Sequence, residues 1–168
     1  GPVRSAPVLA DFDGDGVLDV AVEHGGRLTA FGCDGKAAPG FPVDLGEVVG
    51  RSPVQSVGGL AAGGLDGDGV PDIALAVTLG EGADGFLVAV SASGVVLPGF
   101  PVALAKGPGA GPMLADVNGD GALDLVVGAR DGRLHVVTAA GEPVAGFPVT
   151  LSAGVSSPVS FGSLVKGQ

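Results

Sequence analysis

Residues 11–19 read DFDGDGVLD and residues 116–124 read DVNGDGALD. Both stretches follow the pattern D-x-[DN]-x-D-G-x-x-D, which places oxygen-bearing side chains at positions one, three, five and nine. Residues 64–72 read GLDGDGVPD and keep this pattern except at position one, which is Gly64. Glycine at position six permits a sharp turn because it adopts a positive φ at little cost. Three copies of one acidic, glycine-rich loop indicate a repeat protein.

Each acidic loop lies inside a longer repeating unit of about 46 to 59 residues. A Pro-Val or Pro-Met pair precedes the loop, two apolar segments of strand length follow it, and a Gly-Phe-Pro-Val segment closes the unit. Turns such as Gly25-Gly26 and Asp131-Gly132 separate the apolar segments, as in β-hairpins. The predicted strands after the loops are 19–22 and 27–31, 72–77 and 86–90, and 124–128 and 133–137. The closing segments are 40–43, 99–102 and 146–149.

Four short strands per repeat at this spacing are typical of a β-propeller blade. The sequence therefore predicts an all-β fold, a β-propeller fragment of about three four-stranded antiparallel blades plus one extra strand. The predicted boundaries are a tag scar or leader strand at 1–4, blades at 5–45, 52–104 and 110–151, and the first strand of a further blade at 156–168. A parallel β-helix is the alternative, but its turns are shorter and lack hairpin signals.

The composition fits short strands joined by tight turns. The chain has 168 residues, of which 33 are Gly and 13 are Pro, and this density of turn residues disfavours long helices. The formal net charge of −10 makes nucleic acid a poor partner because phosphate would be repelled. No apolar run approaches the ~20 residues that span a bilayer, so membrane insertion is not expected. The single cysteine, Cys33, excludes an internal disulfide.

The acidic loops carry the ligands of a hard cation. Carboxylate and amide oxygens at positions one, three and five point inward when the chain curls, and the carbonyl of residue seven adds a further oxygen. Such a site, rich in oxygens and negative charge, favours Ca²⁺ over Mg²⁺, which prefers a tighter octahedron and keeps more of its water. An EF-hand is excluded because it requires Glu at position twelve between two helices, whereas position twelve here is Val22 in a predicted strand.

The alternative interpretation of the loops is that they are Asp-Gly turns without a metal. A single D-G-D-G segment fits that interpretation as well as it fits a calcium loop. Three copies at the same place in each repeat favour calcium, because carboxyl and amide groups crowded within ~6 Å repel strongly without a cation. Gly64 removes one ligand from the second loop, which is therefore expected to bind more weakly. The predicted role of the ions is structural, since each would fix the connection between the first two strands of a blade.

The repeat resembles the FG-GAP or VCBS repeat of integrin α-subunit propellers and of many bacterial surface proteins, over nearly the whole chain. The calcium loop is the specific part of the resemblance, whereas Phe31-Gly32 and Phe161-Gly162 match the Phe-Gly half more loosely. Propellers of this family usually have more blades than this chain can form, so the resemblance implies a partial ring. It also implies Ca²⁺ ligands at five loop positions. The matching residues are Asp11, Asp13, Asp15, Val17 (carbonyl) and Asp19; Asp66, Asp68, Val70 (carbonyl) and Asp72; and Asp116, Asn118, Asp120, Ala122 (carbonyl) and Asp124.

Catalytic signatures are absent from the sequence. It contains no G-x-S-x-G or H-E-x-x-H motif, and its two histidines, His24 and His135, lie in different repeats. The chain is therefore predicted to be a non-catalytic, calcium-stabilised interaction or scaffold module. The family resemblance implies an exported protein at the cell surface, outside the cell or in the periplasm, of bacterial origin. The partner, a protein or a glycan, is not identified by the sequence.

Two other functions and one assembly are also predicted from these features. A lectin-like propeller is the first alternative, disfavoured because the chain has no Trp or Tyr to stack on a sugar ring. A scaffold part of a secreted polysaccharide-degrading enzyme is the second. Because a three-blade fragment leaves two open apolar ends, the chain is also expected to form a homo-oligomer, a two-fold dimer that completes the ring.

Overall fold

The structure, a computed structural model, describes residue 3 and residues 5–80 and 83–151, which form three antiparallel sheets. The all-β prediction is therefore confirmed. The first sheet contains β1 (Val8–Ala10), β2 (Asp19–His24), β3 (Arg27–Phe31) and β4 (Val43–Asp44), followed by the short helix α1 (Leu45–Val49). The second contains β5 (Gln55–Ser56), β6 (Ala61–Gly63), β7 (Asp72–Thr78), β8 (Gly85–Val90) and β9 (Val102–Leu104). The third contains β10 (Met113–Ala115), β11 (Asp124–Gly128), β12 (Arg133–Val137) and β13 (Val149–Thr150).

Strands that pair are neighbours in the chain, except that β5 pairs with β7 beside β6, so each sheet is essentially an antiparallel meander. This pairing excludes a parallel β-helix for the described residues. The predicted strand at 156–168, and the predicted leader apart from Val3, lie outside the described residues. Val3 itself forms an isolated antiparallel bridge with His24.

The second sheet has five strands where four were predicted, because two short strands share one edge of β7. β5 pairs with Val77 and Thr78 at one end of β7, and β6 pairs with 72–74 at the other. The amide of Val57 still donates to the carbonyl of Ala76 at 2.8 Å, after which Gly58, with φ of 74°, turns the chain away. The residues between β5 and β6 therefore divide one edge strand into two short strands, and the sheet is no wider than the other two.

The three sheets stack face to face, with the second sheet in the middle. Ile73, Leu75 and Val77 of β7 pack in one apolar cluster with the first sheet, and Ala74 and Ala76 pack in another with the third. All seven residues of β7 are buried, which follows from the period of two that sends alternate side chains to opposite faces. The first strands of the sheets also lie together, because β6 contacts both β1 and β10.

A backbone-to-backbone contact between turns accompanies each sheet joint. A Cβ atom added to Gly40 would lie 1.9 Å from the carbonyl oxygen of Ser93 in the next sheet. A Cβ atom added to Gly99 would lie 1.8 Å from the carbonyl oxygen of Ala140 in the sheet after that. The glycine of each of these Gly-Phe-Pro-Val segments is therefore required by close packing between sheets, as well as by its positive φ.

The helix α1 was not predicted from sequence. Its N-cap, Asp44, accepts hydrogen bonds from the amides of Gly46 (2.9 Å) and Glu47 (3.3 Å), and Gly50 ends it with φ of 68°. Leu45 at its start is fully buried between the first two sheets. Among the described residues, no helix has the length and apolar character needed to cross a membrane.

Candidate metal sites

The three acidic loops occupy the same place in the three sheets, between β1 and β2, between β6 and β7, and between β10 and β11. Position nine of each loop is the first residue of the second strand, where Asp19 pairs with Ala10, Asp72 with Gly63, and Asp124 with Ala115. The strand pairing therefore holds both ends of each loop. Positions one and nine, eight residues apart in the chain, therefore lie at the same end of the sheet.

The first loop brings three predicted ligands together. One carboxylate oxygen from each of Asp11, Asp13 and Asp15 lies within 4.8 Å of the others. Asp11 organises the loop because its carboxylate accepts hydrogen bonds from the amides of Gly14 (2.7 Å), Gly16 (2.8 Å) and Asp15 (3.1 Å). This crowding of carboxylates around one point is the arrangement expected of an oxygen-ligand cation site.

The pKa values of Asp11 and Asp13 are shifted in opposite directions. The hydrogen bond from the amide of Gly16 is the largest influence on Asp11 and lowers its pKa below the ordinary value. For Asp13, the amide of Asp15 acts to lower the pKa, but desolvation and the negative charges of Asp15, Asp19 and Asp11 together raise it. A bound cation would relieve the repulsion that Asp13 experiences.

The third loop has the same pattern of hydrogen bonds as the first. Asp116 accepts hydrogen bonds from the amides of Gly119 (2.7 Å), Gly121 (3.0 Å) and Asp120 (3.2 Å). The oxygen of Asn118 accepts from the amide of Asp120 at 2.9 Å, as Asp13 accepts from Asp15 at 3.1 Å in the first loop. The amide side chain at position three therefore takes the place of a carboxylate without changing the turn.

The second loop keeps the later turns but lacks the first ligand. Asp66 accepts from the amide of Asp68 at 3.0 Å, and Asp68 accepts from the amide of Val70 at 2.8 Å. Gly64 offers no carboxylate to the loop amides. A Cβ atom added to Gly64 would lie 3.9 Å from the carbonyl oxygen of Val70, so positions one and seven border the same space.

The aspartate at position nine is buried in all three loops. The exposed fractions of Asp19, Asp72 and Asp124 are 5%, 0% and 1%. In each case Oδ2 accepts a hydrogen bond from the amide of loop position two, which leaves Oδ1 free of that contact. The donors are Phe12 (3.0 Å), Leu65 (2.6 Å) and Val117 (3.0 Å), respectively.

Asp72 has an oxygen with no protein partner. Its Oδ2 also accepts from the amide of Asp66 at 3.1 Å, but Oδ1 is buried and accepts no hydrogen bond. Desolvation raises the pKa of Asp72 above its ordinary value, and the charges of Asp66 and Asp68 raise it further. The ion pairs among the described residues lie elsewhere, at Asp34, Asp44 and Asp131. A buried carboxylate oxygen without a partner fits a hard cation. Among the described residues, only Asp11, Asp13 and Asp15 bring three carboxylate oxygens within 4.8 Å of one another, so Asp66, Asp68 and Asp72 are not gathered to the same degree.

Sequence reasoning missed one buried acid, Glu23. Its side chain is 3% exposed, its Oε1 accepts from the amide of Gly26 at 2.7 Å, and its Oε2 accepts from the hydroxyl of Ser56 at 2.6 Å. This carboxylate therefore ties the first sheet to the second. The available signal was its position in β2, two residues after the buried Ala21, where the alternation of side chains predicts an inward residue.

The two histidines lie in different sheets. The Nε2 atom of His24 lies 3.2 Å from the hydroxyl of Thr29. Desolvation lowers the pKa of His135, whose Nε2 is buried and accepts or donates no hydrogen bond. Thr29 is itself buried, and His135 contacts no polar side chain through its Nε2 in the part of the chain that the structure describes.

Comparison with known proteins gives only distant likenesses, among solved structures. No family model and no curated protein matches the chain. Among solved structures, the chain is similar to the crystal structure of the V. cholerae biofilm matrix protein Bap1, with 18% sequence identity and a TM-score of 0.39. The alignment covers 82% of this chain and 27% of that one, so the chain spans about a quarter of that protein's length. A function must therefore be inferred from this chain's own residues.

Proposed function

We propose that this chain is a calcium-stabilised scaffold or interaction module of the FG-GAP/VCBS β-propeller kind. The ions would be held by the acidic loops, through the side chains at positions one, three, five and nine and the carbonyl at position seven. The proposed ligands are Asp11, Asp13, Asp15, Val17 and Asp19; Asp66, Asp68, Val70 and Asp72; and Asp116, Asn118, Asp120, Ala122 and Asp124. The second site lacks a ligand at position one and binds most weakly.

The buried, unpartnered Oδ1 of Asp72 carries this proposal. An ionised carboxylate is costly to bury unless it is paired or coordinates a metal. Asp72 is fully buried, its pKa is raised, and two more aspartates of the same loop lie close enough to raise it further. A divalent cation would give this oxygen a partner and offset the negative charges of Asp66 and Asp68, whereas a simple Asp-Gly turn leaves the buried oxygen without a partner.

The propeller part of the proposal is supported by how the sheets meet. Each sheet is an antiparallel meander, the sheets stack in chain order, and the first strands lie together through β6. In a propeller, the first strand of each blade lines the central channel, so adjacent first strands are expected. A cation at each first loop would then stiffen one end of the blade near that channel.

We further propose that the module is non-catalytic and exported. The loops supply ligands for a hard cation, and the sequence carries no G-x-S-x-G or H-E-x-x-H motif. Calcium sites of moderate affinity suit extracellular modules, where the ion is abundant. The partner would be a protein or a glycan that binds outside the metal loops.

The test is the thermal stability of the protein with and without calcium. A ligand that binds only the folded state at ~1 mM, with a Kd of ~10 μM, stabilises by about 2.7 kcal/mol per site. For a chain of this size, that corresponds to roughly 5–10 °C in Tm per site. We expect Tm to fall in EGTA, to recover fully with Ca²⁺, and to recover poorly with Mg²⁺.

A matched variant separates the loops from general charge effects. Asp34→Ala removes one carboxylate from an exposed Asp-Gly turn outside the metal loops, where Lys36 is its partner. This variant should keep the full response to calcium, whereas Asp11→Ala should lose part of it. A melting curve that is the same in EGTA and in calcium would refute the structural role of the ion.

A further inference from the structure

His135 lies in the packing between the second and third sheets, which we call the second joint. It belongs to β12 and pairs with Val127 of β11. Paired residues, and residues two apart on one strand, project from the same face of a sheet. Val127 and Val137 share the face of His135, are 0% and 2% exposed, and pack in an apolar cluster with residues of the second sheet. His135 therefore faces the second sheet, in a joint that the structure describes on both sides.

The surroundings of His135 in this joint are apolar. The residues that the second sheet contributes to the cluster include Ala76, Leu87 and Leu104, all fully buried. The Nε2 atom of His135 is buried and has no hydrogen-bond partner among the described residues. The side chain as a whole is only half-buried, so a proton from solvent can reach the ring. A neutral ring is tolerated in such a place, whereas a charged one is costly unless it is paired.

The other two sheets carry residues that do not titrate at this position. Val88 pairs with Leu75 as His135 pairs with Val127, and Thr29 pairs with Val22 in the same way. Val88 is fully buried between the first and second sheets. The fold therefore accepts an aliphatic side chain here, and the titratable ring is a feature of the second joint alone among the two that the structure describes.

The strands around His135 offer little charge to compensate a proton. The neighbouring strands β6, β8, β9, β10 and β13 contribute no titratable side chain. The strands β7 and β11 contribute Asp72 and Asp124, each at the end where its acidic loop enters the strand. A positive charge on the ring would therefore lie among side chains that cannot pair with it.

Two charged groups close to His135 in the chain act in opposite directions and are paired with each other. Asp131 and Arg133 form an ion pair at 3.7 Å. Desolvation is the largest influence on the pKa of His135 and lowers it below the ordinary value of 6.5; Asp131 acts to raise this pKa and Arg133 to lower it. The neutral ring is therefore favoured in the folded chain.

We propose that the second joint is acid-sensitive, because protonation of His135 places an uncompensated charge in it and weakens the attachment of the third sheet. The unfolded chain takes up the proton at the ordinary value of 6.5, and the folded chain takes it up only at a lower pH. Stability is therefore lost as pH falls from 6.5 through the lowered value, and this loss is complete below it. This inference goes beyond the proposed scaffold role and does not rest on calcium binding.

Proton NMR of the full chain measures the titration of the ring directly. The chain has two histidines, so the spectrum of His135→Val assigns both rings. We expect His135 to titrate below 6.5 in the folded chain and near that ordinary value in the chain unfolded by urea. A ring that titrates at or above 6.5 in the folded chain would overturn the proposal.

Chemical denaturation measures the consequence for stability. The parent chain and His135→Val are compared from about pH 8 to about pH 5 in EGTA, so that the carboxylates contribute equally to both chains and calcium to neither. The unfolding constant of the parent should rise relative to that of the variant as pH falls, by about tenfold for each unit of pKa difference that NMR finds between the folded and unfolded chains. Parallel curves for the two chains would contradict the proposal.

Two further variants separate the charge of the ring from its packing. His135→Gln keeps a polar side chain that does not titrate, so it should lose the acid sensitivity as His135→Val does, and it serves as the test if the valine variant does not fold. His24→Gln removes the other imidazole and should keep the acid sensitivity of the parent. Acid sensitivity that disappears in His24→Gln and persists in His135→Gln would place the effect in the first sheet and refute the proposal.

Hydrogen exchange locates the part of the fold that loosens. At about pH 5.5, after correction for intrinsic exchange rates, the amides of β11 and β12 should lose more protection in the parent than in His135→Gln. The amides of β2 and β3, in the first sheet, should differ less between the two chains. Equal loss of protection in all three sheets would show that acid acts on the whole fold rather than on the second joint, and would overturn the proposal.

Discussion

Replacement of Asp72 by asparagine should have opposite effects with and without calcium. Asparagine keeps an oxygen in the place of Oδ2, where the amides of Leu65 (2.6 Å) and Asp66 (3.1 Å) donate, and it removes the buried charge. Because desolvation raises the pKa of Asp72 in the folded protein, ionisation of this group disfavours the folded state. In EGTA at neutral pH, Asp72→Asn should therefore leave the free energy of unfolding unchanged or increase it.

In calcium the same variant should be destabilised. It removes one ligand from the weakest of the three loops, for which a Kd of ~100 μM is reasonable in an extracellular module. At ~1 mM calcium such a site contributes about 1.4 kcal/mol to the free energy of unfolding, and this contribution would be lost. Asp72→Ala also removes both hydrogen bonds, so it should cost about 2–4 kcal/mol in either buffer.

Chemical denaturation followed by circular dichroism measures these differences, since the chain has no Trp or Tyr for fluorescence. The sign of the pH effect provides a second readout. A raised carboxylate pKa means that the calcium-free protein loses stability as pH rises from the ordinary value of 3.8 through the raised value, and Asp72→Asn should remove this loss. Equal destabilisation of Asp72→Asn in EGTA and in calcium would show that Asp72 serves only as a hydrogen-bond acceptor.

Two further predictions concern the ranking of the sites and the sheet joints. Asp11→Ala and Asp116→Ala should each cost more stability in calcium than Asp66→Ala, because the second loop already lacks its first ligand; titration calorimetry should resolve two tighter sites and one weaker, and three equal affinities would contradict the ranking. Gly99→Ala should lower Tm far more than Gly146→Ala, because their φ values are similar at 86° and 90° but only the first substitution places a Cβ atom 1.8 Å from a carbonyl oxygen. Similar melting curves for these two variants would show that the turn contact between sheets does not constrain the fold.

The strands and the acidic loops could be predicted from sequence because both depend on interactions between residues close together in the chain. The predicted strands 27–31, 124–128 and 133–137 agree with β3, β11 and β12. The turn residues between them adopt the expected positive φ, as at Gly25 and Gly26. These features require only alternation of apolar residues and the conformational freedom of glycine, which act over a few neighbouring residues.

The division of the edge strand into β5 and β6, and the helix α1, could not be predicted from local sequence. The sequence pattern predicts one strand before the second loop, and the pairing of a second one with β7 depends on the amide of Val57 donating to the carbonyl of Ala76. The helix segment LGEVV contains Gly and two valines, which have low helix propensity, but Asp44 caps it and Leu45 is buried between sheets. Long-range partners therefore decided both elements.

The sequence by itself determined that this is an all-β repeat protein with three acidic loops, because repetition and ligand spacing are properties of the linear chain. Only the tertiary structure decided which carboxylates are buried and which sheets cover one another. Asp72 and Asp66 are the same residue type in one loop. Asp72 is nevertheless fully buried with an unpartnered oxygen, whereas Asp66 is exposed. Burial depends on residues far away in the chain, since the free energy of a charge or an apolar side chain is set by what surrounds it after folding.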